Sequence, residues 1–304
     1  MEVQVSRVHF PRVRLIGAIV AALLLAAACG GGGGLDVVGS GGTGIVNGSV
    51  TKGPVGNASV TVYRLANGQI GAQIGTGSTD ANGNFTLNIG AHVGPAMVKV
   101  GGGTYMDEAS GLLMTIGPGD ALTAVVPDIA SASSSAVQVT PVTTMAQGMA
   151  QQMIGGMTEA NIASANAAMG RYFAVSDILR VHPMNPLVAG SGAGASQEAR
   201  NYGMTLAAMS QYAKTLDLPV SSAIVTAMMR DASDGLMDGR MGAAQISMPM
   251  GGMMGTRMMA VTSGTSSLAA SMSEFLNSAS NVSGVTFPEM AALIEKLARS
   301  NGQI

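Results

Sequence analysis

The chain has 304 residues with 15 basic and 17 acidic side chains, a formal net charge of −2, and only 3% aromatic residues. So balanced a charge with so few rings supplies neither the basic field nor the stacking platforms of a nucleic-acid binder, which argues against that class of partner. Cys29 is the single cysteine, which excludes an intrachain disulfide and any zinc or iron–sulfur centre built on cysteines.

The first element is apolar. Arg7, Arg12 and Arg14 precede a hydrophobic run over residues 15–28 that ends in Ala26-Ala27-Ala28 directly before Cys29. The run is shorter than the ~20 residues a membrane span needs and has the layout of a secretory signal. Small residues ahead of a cysteine resemble the signal of bacterial lipoproteins, and the resemblance implies that residues 1–28 are removed and that Cys29 carries the lipid. Several acyl chains, each burying methylenes at ~0.8 kcal/mol apiece, would anchor the protein stably. Residues 29–44 are dominated by glycine and read as a flexible tether. Gly30 stands where inner-membrane lipoproteins carry an aspartate, so the resemblance implies export to the outer membrane, with either face open.

Over residues 45–127 the pattern is that of strands. Phe85, Leu87 and Ile89 alternate with Thr86 and Asn88, which gives one apolar and one polar face. Asn67-Gly68 and Asn82-Gly83 separate strand-like runs and predict tight hairpin turns. With runs at 46–50, 59–65, 96–100, 112–116 and 122–126, the count comes to about seven strands, the composition of an antiparallel sandwich. Gly48-Ser49-Val50, Gly53-Pro54-Val55, Ala58-Ser59-Val60-Thr61-Val62-Tyr63 and Thr79-Asp80-Ala81-Asn82-Gly83-Asn84-Phe85 resemble the carboxypeptidase regulatory-like domains, small transthyretin-like β-sandwiches. That resemblance implies a fold and no peptidase activity; related modules bind glycans or act as spacers. Tyr105, Asp107 and Glu108 lie in the most polar, glycine-punctuated loop of this region. They form either an aromatic and acidic binding lip or a set of acceptors for the loop's own N–H groups.

Residues 128–139, rich in serine and alanine, read as a linker, and beyond them the period becomes helical. Thr140-Pro141 supplies an N-cap and a first-turn proline, and Met145, Met149 and Met153 then form one stripe. Thr158-Glu159, Ser196-Gln197-Glu198, Ser221 and Thr265 open further helices, and Thr286-Phe287-Pro288-Glu289 is a capping box that opens the last. Six amphipathic helices over 140–304 predict an all-α bundle, so the expected fold is α+β in two domains, a seven-stranded antiparallel β-sandwich followed by a helical bundle. Residues 140–146 and 234–239 also resemble elements that follow such β-domains in other bacterial lipoproteins, a likeness that carries no activity.

Candidate chemistry is sparse. Asp231, Ser233, Asp234 and Asp238 sit in one glycine-kinked loop whose oxygens suit Ca²⁺. Their spacing departs from an EF-hand, and the alternative is a solvated turn that caps the preceding helix. Met248, Met250, Met253 and Met254 are the densest part of a methionine-rich segment over 248–259. Its thioethers suit Cu(I), or else pack irregular space. His92 and His182 lack a partnered nucleophile, and residues 190–194 lack the lysine of a phosphate loop, so no catalytic residue is nominated. The expectation is a lipid-anchored, non-catalytic module that binds an envelope protein or a glycan, needs no resident cofactor unless Ca²⁺ fills the aspartate loop, and has exported metal binding as the alternative.

Overall fold

Strand formation begins where the glycine run ends. The computed structural model describes residues 44–130, 136–250 and 255–304. The signal, Cys29 and nearly all of the tether lie outside them, as do Met253 and Met254. In chain order the first half forms β1 (Gly44–Val50), β2 (Ser59–Ala66), β3 (Gln69–Ser78), β4 (Asn84–Gly90), β5 (Ala96–Gly101), β6 (Thr104–Met106), β7 (Leu113–Thr115) and β8 (Leu122–Val126). After a short gap come β9 (Val137–Val139), α1 (Pro141–Gln152), α2 (Glu159–Phe173), α3 (Gln197–Thr215) and α4 (Ser222–Ala232). Two small ribbons follow, β10 (Arg240–Met241) with β11 (Ala244–Gln245), and β12 (Ser247–Pro249) with β13 (Thr256–Met258). The described chain ends with α5 (Ser266–Leu276) and α6 (Phe287–Ala298).

The architecture is mixed, with helices packed on small sheets. One antiparallel sheet has the order β3-β2-β5-β8, with Val60 opposite Val100 and Val98 opposite Ala124. A second has the order β4-β1-β9 and is not wholly antiparallel, because β9 runs parallel to β1. β6 and β7 form a separate ribbon in place of one further sandwich strand. Val137–Val139 lies inside the stretch expected as linker; three residues are too few to show a period, and their strand character comes from pairing with β1.

The turns divide the same way. Asn67 (φ 52°) and Gly68 (φ 73°) both take the left-handed conformation, so the β2–β3 hairpin closes as its sequence demands. Asn82-Gly83 makes no hairpin: β3 and β4 belong to different sheets, and the chain crosses between them. The Asp80 carboxylate organises this crossing by accepting the N–H groups of Asn82 and Asn84 at 2.9 and 2.8 Å.

Alternation along β8 explains why the helices dock on the sheet. Leu122, Ala124 and Val126 enter the main core on one side. On the other, Val125 joins Leu65, Met97, Met157, Ile162 and Ala165 in a second core beneath α1 and α2. Polar groups fix the register: the Thr143 hydroxyl donates to Thr123 O at 2.7 Å, and Thr123 N donates to the Thr144 hydroxyl at 2.9 Å. The main core is continuous from Val46 in β1 to Leu297 in α6, and the described residues fall in one compact unit. Among the described residues no helix is long and apolar enough to cross a membrane.

Helix starts follow the capping residues. Thr140 accepts Thr143 N at 3.2 Å while the Thr143 hydroxyl accepts Thr140 N at 2.8 Å, a reciprocal box. Ser196 accepts Ala199 N, and Glu289 accepts Thr286 N. α3 lies at the centre of the helical part, against α4, α5 and α6, and is buried over most of its length.

Candidate functional site

The turn that follows β1 carries Lys52, a side chain absent from the sequence-based candidates. Lys52 is 0% exposed. Its ammonium donates to the Ser210 hydroxyl on α3 at 2.7 Å and lies 3.7 Å from Asp107 Oδ2 and 3.8 Å from Glu108 Oε2. It also sits 5.0 Å above the centre of the Tyr105 ring, a cation–π contact. A buried ammonium is tolerable only when charge and hydrogen bonds replace its water, and this cluster supplies both.

Each carboxylate is positioned by backbone. Glu108 accepts Gly53 N at 2.7 Å through Oε1 and the Ser210 hydroxyl at 2.6 Å through Oε2. Asp107 Oδ1 accepts both Ser110 N (3.0 Å) and the Ser110 hydroxyl (2.8 Å), while Oδ2 accepts no hydrogen bond. Burial pushes the Asp107 carboxyl up, but Lys52 and the hydrogen bonds from Ser110 outweigh it and hold the group below the usual carboxylate range. Burial drives the Tyr105 phenol above its ordinary value, and its oxygen meets the Ser221 hydroxyl at 2.9 Å. Ser221 therefore makes no side-chain cap for α4.

This arrangement corrects the expected binding lip. Tyr105, Asp107 and Glu108 are each 1% exposed and face Lys52 rather than solvent. The polar loop is drawn inward because a cation from a turn 55 residues earlier completes it.

The aspartate loop serves its own backbone. Asp231, buried at the end of α4, accepts the N–H groups of Asp238, Gly239 and Arg240 through Oδ1 at 2.9, 2.6 and 3.2 Å. Asp234 accepts Leu236 N and Gly242 N, Asp238 accepts Arg240 N, and the Ser233 hydroxyl donates to Arg230 O. Carboxylate oxygens aimed at N–H groups present the surroundings of an anion, so the geometry follows the capping alternative rather than the Ca²⁺ one. Among the described residues no group of three His, Cys, Asp or Glu side chains is placed to hold a metal.

Burial, opposed by the three N–H bonds, raises the Asp231 carboxyl to about 7. A raised carboxyl contributes stability in full below its unfolded value, and that contribution is lost as pH rises through about 7. The protein should therefore lose stability between about pH 4 and pH 7, the span between the ordinary and the raised value. Asp231→Asn keeps the Oδ1 acceptor and should flatten this part of the profile. Urea midpoints at several pH values test it, and equal slopes for the two proteins would refute it.

Of the methionine set, Met248 and Met250 fall among the described residues. Met248 and Met259 are buried in the main core, and Met250 is half-buried against it. Elsewhere Met149 and Met153, the outer part of the α1 stripe, share a cleft of about 530 Å³ with Met241, Ser233 and Asp234. A second cleft, of about 330 Å³, is lined by Pro118, Pro219, Val220, Met248, Pro249 and Arg230. The exposed Arg230 pairs with no carboxylate among the described residues. The nearby Asp120 is held by the Ser222 and Thr226 hydroxyls at 2.6 and 2.7 Å.

His92 and His182 line neither of these clefts. His92 contacts Pro95 O at 3.3 Å, and His182 contacts Gln138 at 3.1 Å, its ring held below the ordinary value by burial. Comparison of the chain with protein-family models, with curated proteins and with solved structures returned no match in any of the three.

Proposed function

We propose that the protein is exported, lipidated at Cys29 and held at the outer membrane, where its folded part is a non-catalytic scaffold that binds an envelope protein. Residues 45–127 serve in this reading as a carboxypeptidase regulatory-like sandwich, a view supported by two sheets that share one core. The observation that carries the binding role is the cleft of about 330 Å³ formed by prolines, Val220 and the exposed Arg230. Apolar walls beside one unpaired cation suit a partner segment with apolar and acidic side chains. A protein is favoured over a glycan because no aromatic ring among the described residues lines this cleft, and sugar recognition leans on exposed rings.

The test uses the full chain in the cells that make it. A photo-crosslinking residue at Val220 should give one discrete protein adduct that Arg230→Glu removes. Labelling no stronger than at the exposed Lys99 would overturn the binding role. Separately, Cys29→Ser should move the protein from the membrane to the soluble fraction; an unchanged distribution would overturn the anchor alone.

Metal binding is the second reading, favoured by the three thioethers of Met149, Met153 and Met241 around one cleft. Competitive Cu(I) titration should then lose one equivalent when all three become leucine, and an unchanged stoichiometry ends it.

A further inference from the structure

We infer that Lys52 and Asp107 are joined by an intramolecular amide bond, made by the buried cluster itself with Ser210 and Glu108 as its proton relay. The amine lies 3.7 Å from Asp107 Oδ2, so the two groups already face each other in the folded chain. Asp107 is the acceptor rather than Glu108. Both Glu108 oxygens are engaged, by Gly53 N and by Ser210, whereas Asp107 Oδ1 is held by Ser110 and Oδ2 is left without a hydrogen bond. The unheld oxygen is the one free to depart.

An ammonium is not a nucleophile, so a proton must first leave Nζ. The contacts Lys52 Nζ to Ser210 Oγ (2.7 Å) and Ser210 Oγ to Glu108 Oε2 (2.6 Å) form a continuous path to a base. The neutral amine then attacks Asp107 Cγ. The Nζ–Cγ bond forms, the Cγ–Oδ2 bond breaks, and Oδ2 leaves as water. One of its protons returns from Nζ through Ser210 and Glu108, and the other passes from nitrogen as the tetrahedral intermediate collapses. Ammonium plus carboxylate gives amide plus water, and nothing is oxidised or reduced.

In bulk water this condensation runs backwards. Here Lys52, Asp107, Glu108 and Ser210 are no more than 1% exposed. The reaction replaces three buried charges by one, which removes much of the desolvation penalty that the unreacted cluster carries. The product ties the turn after β1 to the loop after β6, behind α3.

Protease digestion and mass spectrometry of the full-length, folded protein test this independently of N-terminal processing. The expected result is one branched peptide containing Lys52 and Asp107, lighter by one water than its two parts, with cleavage after Lys52 blocked. Glu108→Gln and Ser210→Ala should abolish the branched species while circular dichroism stays native. Linear peptides alone from the folded wild-type protein overturn the inference, as does a branch that maps to Glu108. The wild-type digest decides the matter even if either variant fails to fold.

Discussion

Replacing Lys52 with methionine should destabilise the protein by about 3–5 kcal/mol, the cost typical of stranding a buried charge by removing its partner. Methionine fills a similar volume, so the loss is not a cavity effect. It arises because Asp107 and Glu108, each 1% exposed, keep two carboxylates in a space with no cation, and Ser210 loses its donor. The pH dependence should also change sign. In the wild-type cluster before any amide forms, Lys52 helps hold the Asp107 carboxyl below its usual range, which contributes stability above the ordinary carboxylate value and is lost as pH falls through the lowered one. Without the cation, burial dominates, and acid should relieve the variant where it weakens the wild type. Urea unfolding at pH 4 and pH 7 separates the cases, since a loss under about 1 kcal/mol at pH 7 would mean that water reaches the cluster.

Gly203→Ala should cost about 3 kcal/mol, against the direction of helix propensity. In a solvated helix this substitution gains up to ~1 kcal/mol. In α3 the added Cβ would lie 2.0 Å from Met184 O, 2.9 Å from its carbonyl carbon and 3.1 Å from its nitrogen, all backbone atoms that no rotamer change can clear. Either α3 retreats from residues 183–185, or that connection shifts and breaks the hydrogen bond from Met184 N to Ala199 O at 3.0 Å. Both disturb the centre of the helical layer. Thermal and urea midpoints report the effect, and a variant as stable as the parent would show that this approach is adjustable.

Local signals were legible and distant ones were not. Thr140, Ser196 and Thr286 announce helices because capping chemistry is confined to four residues. Asn67-Gly68 announces its hairpin for the same reason. Asn82-Gly83 carries a similar signal and misleads, since which sheet β4 joins depends on pairing with β1, about 40 residues earlier in the register that matches Gly48 to Phe85. The Lys52 cluster draws on a turn, a loop and a helix up to 158 residues apart, and no window of sequence contains it. Tyr105, Asp107 and Glu108 look like surface residues because their neighbours are glycines and serines, and their burial follows from a cation that the local sequence does not show. The Asp231 loop was readable as a turn, but its three-donor cradle required the backbone.

The middle position of β1 in its sheet bears on how the polypeptide can be assembled. As the first described strand, β1 has both its neighbours later in the chain, and the parallel one arrives only with residues 137–139. During synthesis it must wait, with one side bare, until about 90 further residues have followed it. A fragment ending before that point would expose an unpaired β edge open to other chains, so domain dissection at the apparent linker should yield aggregating material.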